Sequence, residues 1–320
     1  MAAFITVDIL KTALELGLIY SLVALSLFIS FSILDICDLS TDGCYTLGCA
    51  VGAVLTVGGH PILAIFAAMA AGICSGFVTA LLQTRFNVPS ILAGIIVNTG
   101  LYTINLAVLG FRSNQSVFGV DTFFSMVKGL NDSPFWHQWY RLICVAVIVT
   151  VICLFIWWFM NTRLGLAIRA TGDSPAMVKA SSINPAVMIT IGLCMANALT
   201  GLSGALTGLY NKNCDINLGT GMVTIALASL IIGEPLSGKR IMGLRIVGVV
   251  FGSCLYRFIV SIALRLNVPT EAFKLVSAVI VAVAIAAPQA KNLYKDYKKR
   301  RAAVALHQQM LKGGDGSCSD

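Results

Sequence analysis

The sequence predicts an all-α polytopic membrane protein of about nine (8–10) transmembrane helices, some of them broken, arranged as inverted repeats. Three observations carry this. Hydrophobic residues make up 58% of the 320 and charged residues 11%, against roughly 25% charged in an average soluble domain. Mean hydropathy is +0.88. Apolar stretches of span length recur along nearly the whole chain. Such a chain lacks the residues to give most elements a polar face, which excludes a soluble enzyme, a disordered chain and a disulfide scaffold. Its 29 glycines allow helices to approach closely in lipid.

A bilayer core takes about 20 helical residues. The predicted spans are 13–34, 39–58, 61–83, 90–110, 139–160, 184–210, 220–236, 241–266 and 270–289. The series is interrupted around 35–40 and short at 220–236. Asp8 and Glu15 around a single Lys11 do not make the basic start of a signal peptide. Asp38 or Ser40 is placed to cap a helix beginning near Thr41. The glycine pairs Gly48/Gly52, Gly72/Gly76, Gly204/Gly208 and Gly248/Gly252 lie one turn apart and read as helix-packing faces. Cys44, Cys49, Cys74, Cys144, Cys153, Cys194 and Cys254 fall inside spans and read as small hydrophobes.

Orientation follows the Lys/Arg bias. With the C-terminus inside, Arg85, Arg163, Arg169, Lys179, Lys239, Arg240 and the tail cluster Lys291 to Arg301 share the cytoplasmic face. The other face holds Lys11, Arg112, Lys128, Lys212 and Arg265. The chain thus divides into a transmembrane domain, 1–290, and a basic cytoplasmic tail, 291–320. Beside a membrane span, that basic run is an anchor to anionic lipid rather than a grip on nucleic acid.

A weak internal repeat supports the inverted layout. Cys37-Asp38 recurs as Cys214-Asp215, and Arg85-Phe86-Asn87-Val88-Pro89-Ser90 as Arg265-Leu266-Asn267-Val268-Pro269-Thr270, at offsets of 177 and 180 residues. The two copies fall on opposite faces, so the halves are inverted, with 139–160 linking them. Transporters commonly run a substrate path between such halves.

Catalytic chemistry finds no support. Gly233-Glu-Pro-Leu-Ser-Gly238-Lys239-Arg240 approaches a phosphate loop, but Arg240 stands where Ser or Thr should hold Mg²⁺ and Pro235 removes a backbone donor. His60, His137 and His307 are scattered. No metal or other cofactor is implied, and the chain is not expected to be an enzyme. Acids sit at span ends or breaks, Asp42 being the one candidate for ion coupling.

Two segments carry functional information. The first is 161–183, about 23 residues on the cytoplasmic side. Asp173 or Ser174 is placed to cap a short helix with Pro175 in its first turn, and Ala176, Met177 and Ala180 offer a small apolar surface. By composition it is either a charged loop or a docking element for a cytoplasmic partner. The second is 90–110, where Asn98, Tyr102 and Asn105 recur at i, i+4 and i+7 and share one helix face. Asn197 is a second polar group in mid-span. Polar groups facing lipid are costly, so these serve either helix-to-helix hydrogen bonds or a solute path.

Gly165, Ala167, Arg169, Ala170, Gly172, Asp173, Ala180, Ile183, Asn184, Thr200-Gly201 and Ser203-Gly204-Ala205 match a loop-and-span pattern in order. In it the chain resembles the permease subunits of bacterial ABC importers of the branched-chain amino acid and ribose class. It departs at Ser182, usually Gly, and at Thr200, usually Ala. Asp38-Leu-Ser-Thr-Asp42-Gly43, Leu101-Tyr-Thr-Ile-Asn105 and Leu227-Ala-Ser-Leu-Ile-Ile-Gly-Glu234 are similar to a subgroup paired with tryptophan- or tyrosine-type substrate-binding lipoproteins.

The resemblance implies a homodimer in the bacterial plasma membrane, with two cytoplasmic ABC ATPase subunits below and an extracytoplasmic binding lipoprotein above. It implies that Arg169, Asp173, Met177 and Lys179 contact the ATPase. Asn98, Tyr102, Asn105 and Asn197 are expected to line a path for a small solute, an aromatic amino acid favoured. The alternative is a secondary carrier of the same layout driven by an ion gradient.

Overall fold

A computed structural model describes residues 7–129, 134–237 and 241–265, with Val279 and Ala282. Apart from Val279 and Ala282, the predicted span 270–289 and the basic tail lie outside the described residues. The first half begins with α1 (Val7–Leu27), whose last turns widen into a π-helical stretch, Phe28–Ile33. Then come α2 (Thr41–Val57), α3 (Pro61–Arg85) and α4 (Ser90–Val108). A connecting stretch holds β1 (Asn114–Ser116) and α5 (Phe123–Lys128), and α6 (Pro134–Met160) links the halves. Two short helices follow, α7 (Arg163–Asp173) and α8 (Pro175–Ala180). The second half is α9 (Pro185–Asn211), β2 (Asn213–Asp215), α10 (Met222–Ser237) and α11 (Met242–Arg265).

Eight of the nine predicted spans are present as helices. Six are long and apolar enough to cross a bilayer, while α2 and α10 are shorter. At 1.5 Å per residue their described lengths are about 25 Å, less than a hydrocarbon core of about 30 Å. They are the broken spans that the sequence interruptions at 35–40 and 220–236 indicated.

Among the described residues, the first three helices of each half repeat in order. α9, α10 and α11 start 178, 181 and 181 residues after α1, α2 and α3. Packing follows the same symmetry, since α3 of the first half lies against α9 of the second and α11 lies against α1. α9 sits at the centre and also packs on α1 and α2. Its entry is set locally: Asn184 caps it, Oδ1 accepting the Ala186 N–H at 3.0 Å, and Pro185 fills the first turn.

Small residues make this packing possible. A side chain at Gly48 would run into the Gly201 carbonyl, and one at Gly204 into the Tyr45 carbonyl, so α2 and α9 touch backbone to backbone. Departures from expectation are local. β1 and β2, too short and polar to show a strand pattern, pair antiparallel with Gln115 opposite Cys214. The near phosphate loop is no loop at its start, because Gly233–Ser237 continues α10. There Glu234 accepts hydrogen bonds from Ser32 and from Arg245 (3.4 Å), and Arg245 also lies 4.9 Å over the Phe28 ring.

Candidate functional site

The two broken helices meet head to head. Asp42, in the first turn of α2, accepts the Val223 N–H on Oδ1 at 2.9 Å and the Gly221 N–H on Oδ2 at 3.0 Å. One carboxylate thereby serves the free N–H groups that begin α10 while sitting at the start of α2. Both helix N-termini carry partial positive charge, which favours the carboxylate there. Thr46 accepts the Gly219 N–H at 3.1 Å. Gly219 itself presses on the Asp42 carbonyl, where any side chain would collide.

Beside this junction lies a pocket of about 300 Å³, walled by Asp42, Gly43 and Thr46 of α2, by Asn98, Thr99, Tyr102 and Asn105 of α4, and by Ile216, Asn217 and Thr220. The predicted α4 face therefore does converge on one cavity. Tyr102 is 52% exposed and Asn98 half-buried. Asn105 is buried, its Nδ2 donates to the Gly43 carbonyl at 3.1 Å, and its Oδ1 has no partner among the described residues. Thr46, Asn217 and Thr220 were not singled out from the sequence. The repeat that makes 215–221 the counterpart of 35–43 was the signal that could have found them.

Asn197 is placed elsewhere. It is fully buried and absent from the pocket wall. Its Nδ2 donates to Asp38 Oδ2 at 2.8 Å and to the Leu193 carbonyl at 3.3 Å. Asp38 Oδ1 in turn accepts the Ser40 N–H at 2.8 Å and the Ser40 hydroxyl at 2.6 Å. Asn197 thus fastens the break before α2 to the central helix. Ser40 does not cap α2 with its side chain, because its hydroxyl is turned back to Asp38.

The segment 161–183 forms two helices rather than one. Thr162 caps α7, its hydroxyl accepting the Gly165 N–H at 3.3 Å. Ile168 and Val178 are buried, and Gly172 backs onto the Ile33 carbonyl. Arg169, Asp173, Met177 and Lys179 all face outward, Met177 being 72% exposed. Ser182, where the resemblance leads one to expect Gly, has φ 61°, the left-handed region that Gly enters freely. Thr200, in place of the usual Ala, donates to the Ser26 hydroxyl at 2.8 Å and ties α9 to α1.

Residues 9–285 match the family described as branched-chain amino acid transport system / permease component. The chain belongs to this family. A tyrosine transport system permease protein of Clostridioides difficile (strain R20291) is 32% identical over 290 residues, covering 90% of this chain and 93% of the relative. A ribose import permease protein of Escherichia coli (strain K12) is 27% identical over 259 residues, covering 78% and 75%. A guanosine ABC transporter permease protein of Bacillus subtilis (strain 168) is 27% identical over 184 residues, covering 54% and 57%. No solved structure matches.

The chain is thus an ABC permease of the branched-chain and ribose class, a multi-pass protein of the plasma membrane. Permease subunits of this kind are not enzymes; ATP hydrolysis belongs to a separate ATPase, and the family works with ATPase and substrate-binding partners.

Proposed function

We propose that this permease forms, as a homodimer, the translocation path of an importer for a small amino-acid-like solute, an aromatic amino acid favoured. A binding lipoprotein delivers the solute from outside. The observation that carries this is the pocket at the α2–α10 junction. It offers a carboxylate at Asp42 and, at Asn105 Oδ1, an acceptor without a partner among the described residues for an ammonium group, beside the open ring of Tyr102 for an aromatic one. The tyrosine transport relative agrees with that chemistry. Asn98, Tyr102 and Asn105 line the path, and Asn197 supports it from behind.

Arg169, Asp173, Met177 and Lys179 form the ATPase contact, on a segment that pairs buried anchors with an exposed outer face. In the proposed orientation that segment and the tail are cytoplasmic, and 111–138 is extracytoplasmic. An energy source in an ion gradient has no place in this reading, since the permease family supplies an ATPase partner. The test is uptake of radiolabelled tyrosine and tryptophan by the complete importer in proteoliposomes. Tyr102→Ala lowers uptake at unchanged ATPase assembly. Unchanged uptake in both Tyr102→Ala and Asn98→Ala at equal protein would remove the α4 face from the path.

A further inference from the structure

A second built site lies on different helices, at the α1–α6 seam. Glu15 is only 3% exposed. Its Oε2 accepts the Tyr210 hydroxyl at 2.8 Å, but Oε1 is buried with no partner among the described residues. It borders a pocket of about 290 Å³ whose other walls include Lys11, Lys128, His137, Tyr140 and Arg141. The Arg141 guanidinium lies 5.2 Å over the Tyr210 ring, and Lys11 Nζ lies 5.6 Å over Trp139.

The charges define the ligand. An orphaned buried carboxylate oxygen calls for a strong hydrogen-bond donor. A simple anion would meet Glu15, and a simple cation would meet three basic side chains. A zwitterion with an ammonium and an anionic group a few ångströms apart satisfies both sets.

The surroundings decide between a dissolved zwitterion and a lipid. Lys11, Trp139, Tyr140 and Tyr210 are the interfacial residue types that sit at headgroup depth. One turn further along the same two helices a groove of about 620 Å³ begins, almost wholly apolar, between α1, α6 and α11. Leu18 borders it, about 4.5 Å along α1 from Glu15, and Ala146, about 7.5 Å along α6 from Arg141. We propose that this seam binds an amine-bearing phospholipid, its ammonium on Glu15 Oε1, its phosphate among Lys11, Lys128 and Arg141, and an acyl chain in the groove. The site is independent of the solute pocket, which lies on α2, α4 and 216–220.

The test uses the purified permease with its ATPase in detergent, probed by native mass spectrometry. The probes are phosphatidylethanolamine, phosphatidylcholine, phosphatidylglycerol and glycerophosphoethanolamine. The wild type retains phosphatidylethanolamine about tenfold over phosphatidylcholine, whose quaternary ammonium has no N–H to donate, and over phosphatidylglycerol, which has no amine. Glu15→Gln brings phosphatidylethanolamine and phosphatidylcholine to equal retention.

Thr150→Trp, on the exposed groove wall, keeps the test open should Glu15→Gln fail to assemble, and it lowers phosphatidylethanolamine retention. Equal retention of the three lipids by wild type would overturn the proposal, as would selectivity intact in Glu15→Gln or retention intact in Thr150→Trp. Glycerophosphoethanolamine bound as tightly as the diacyl lipid would assign the pocket to a dissolved zwitterion instead.

Discussion

Asp42 and Val223 are 181 positions apart, yet the first turn of α10 is closed by a 2.9 Å hydrogen bond from the Val223 N–H to the Asp42 carboxylate. In lipid a helix that starts inside the hydrocarbon region exposes up to four backbone donors with no water to take them. One acidic side chain at the start of α2 takes two of those of α10, and the two broken helices become one unit. The pocket lined by Asp42, Thr46, Asn105 and Thr220 adjoins that junction, and discontinuous helices of this kind commonly leave polar backbone around a cavity.

Removing the carboxylate tests this unit. Asp42→Ala leaves the Gly221 and Val223 N–H groups without an acceptor, at a cost of about 2–3 kcal/mol. Asp42→Asn keeps one acceptor oxygen and loses less. Reversible unfolding in mixed detergent micelles should rank the three proteins in that order. An Asp42→Ala permease as stable as wild type would show that the α10 start is held by other contacts.

Ser182 gives a prediction of opposite sign. It is exposed and sits at φ 61° between α8 and α9. An L-residue pays roughly 1–2 kcal/mol in that region, against about 0.5–1 for the greater chain entropy of Gly. Ser182→Gly should therefore raise stability by about 0.5–1 kcal/mol, read as a higher midpoint in a thermal shift assay of the purified permease. A lower midpoint would mean that the Ser182 side chain holds the turn.

The span positions were legible because length and polarity alone set them in a bilayer, and the ends of α3, α9 and α11 fall within a few residues of expectation. The α4 face was legible too, since Asn98, Tyr102 and Asn105 share one side by helical periodicity whatever they touch. What periodicity lacks is the partner. Asp42 was visible as an acid at a break, but its bonds to residues 221 and 223 exist only through the fold. Asn197 is one polar group on a helix buried on nearly every side, so its direction could not be read. Glu15 reads in the sequence only as an acid at the start of the first span, 13–34, and its bond to the Tyr210 hydroxyl from the second half exists only through the fold.

The proposed ATPase contact makes a functional prediction. Met177 is 72% exposed on α8, while Val178 beside it is the buried anchor. Met177→Asp places a charge on the proposed contact surface without touching the anchor. It should abolish stimulation of the ATPase by the permease while expression and detergent stability stay at wild-type levels. Normal stimulation would remove Met177 from the contact.

Orientation is checked by labelling. A cysteine at Ser174, in the α7–α8 junction, should react with an impermeant maleimide in inverted vesicles and stay unlabelled in intact cells. A cysteine at Gln115, in β1, should show the reverse. The opposite result for both would invert the topology and place the α7–α8 segment on the outer face.

Asn197 separates support from path. Its Nδ2 bond to Asp38 joins two buried side chains, so Asn197→Ala leaves Asp38 Oδ2 without a donor among the described residues and costs about 1–3 kcal/mol. Asp38→Asn removes the charge that made the loss expensive. The double variant should therefore be less destabilised than the sum of the singles, by about 0.6–1.7 kcal/mol, as found for polar pairs between membrane helices. Transport divides the roles further. In Asn197→Ala, uptake should fall in proportion to the amount of folded permease, so that uptake per assembled complex stays near wild type. In Tyr102→Ala the protein level holds and uptake per complex falls. A loss of uptake per complex in Asn197→Ala as large as in Tyr102→Ala would place Asn197 on the path itself, and the α2 break would then have to open during transport to expose it.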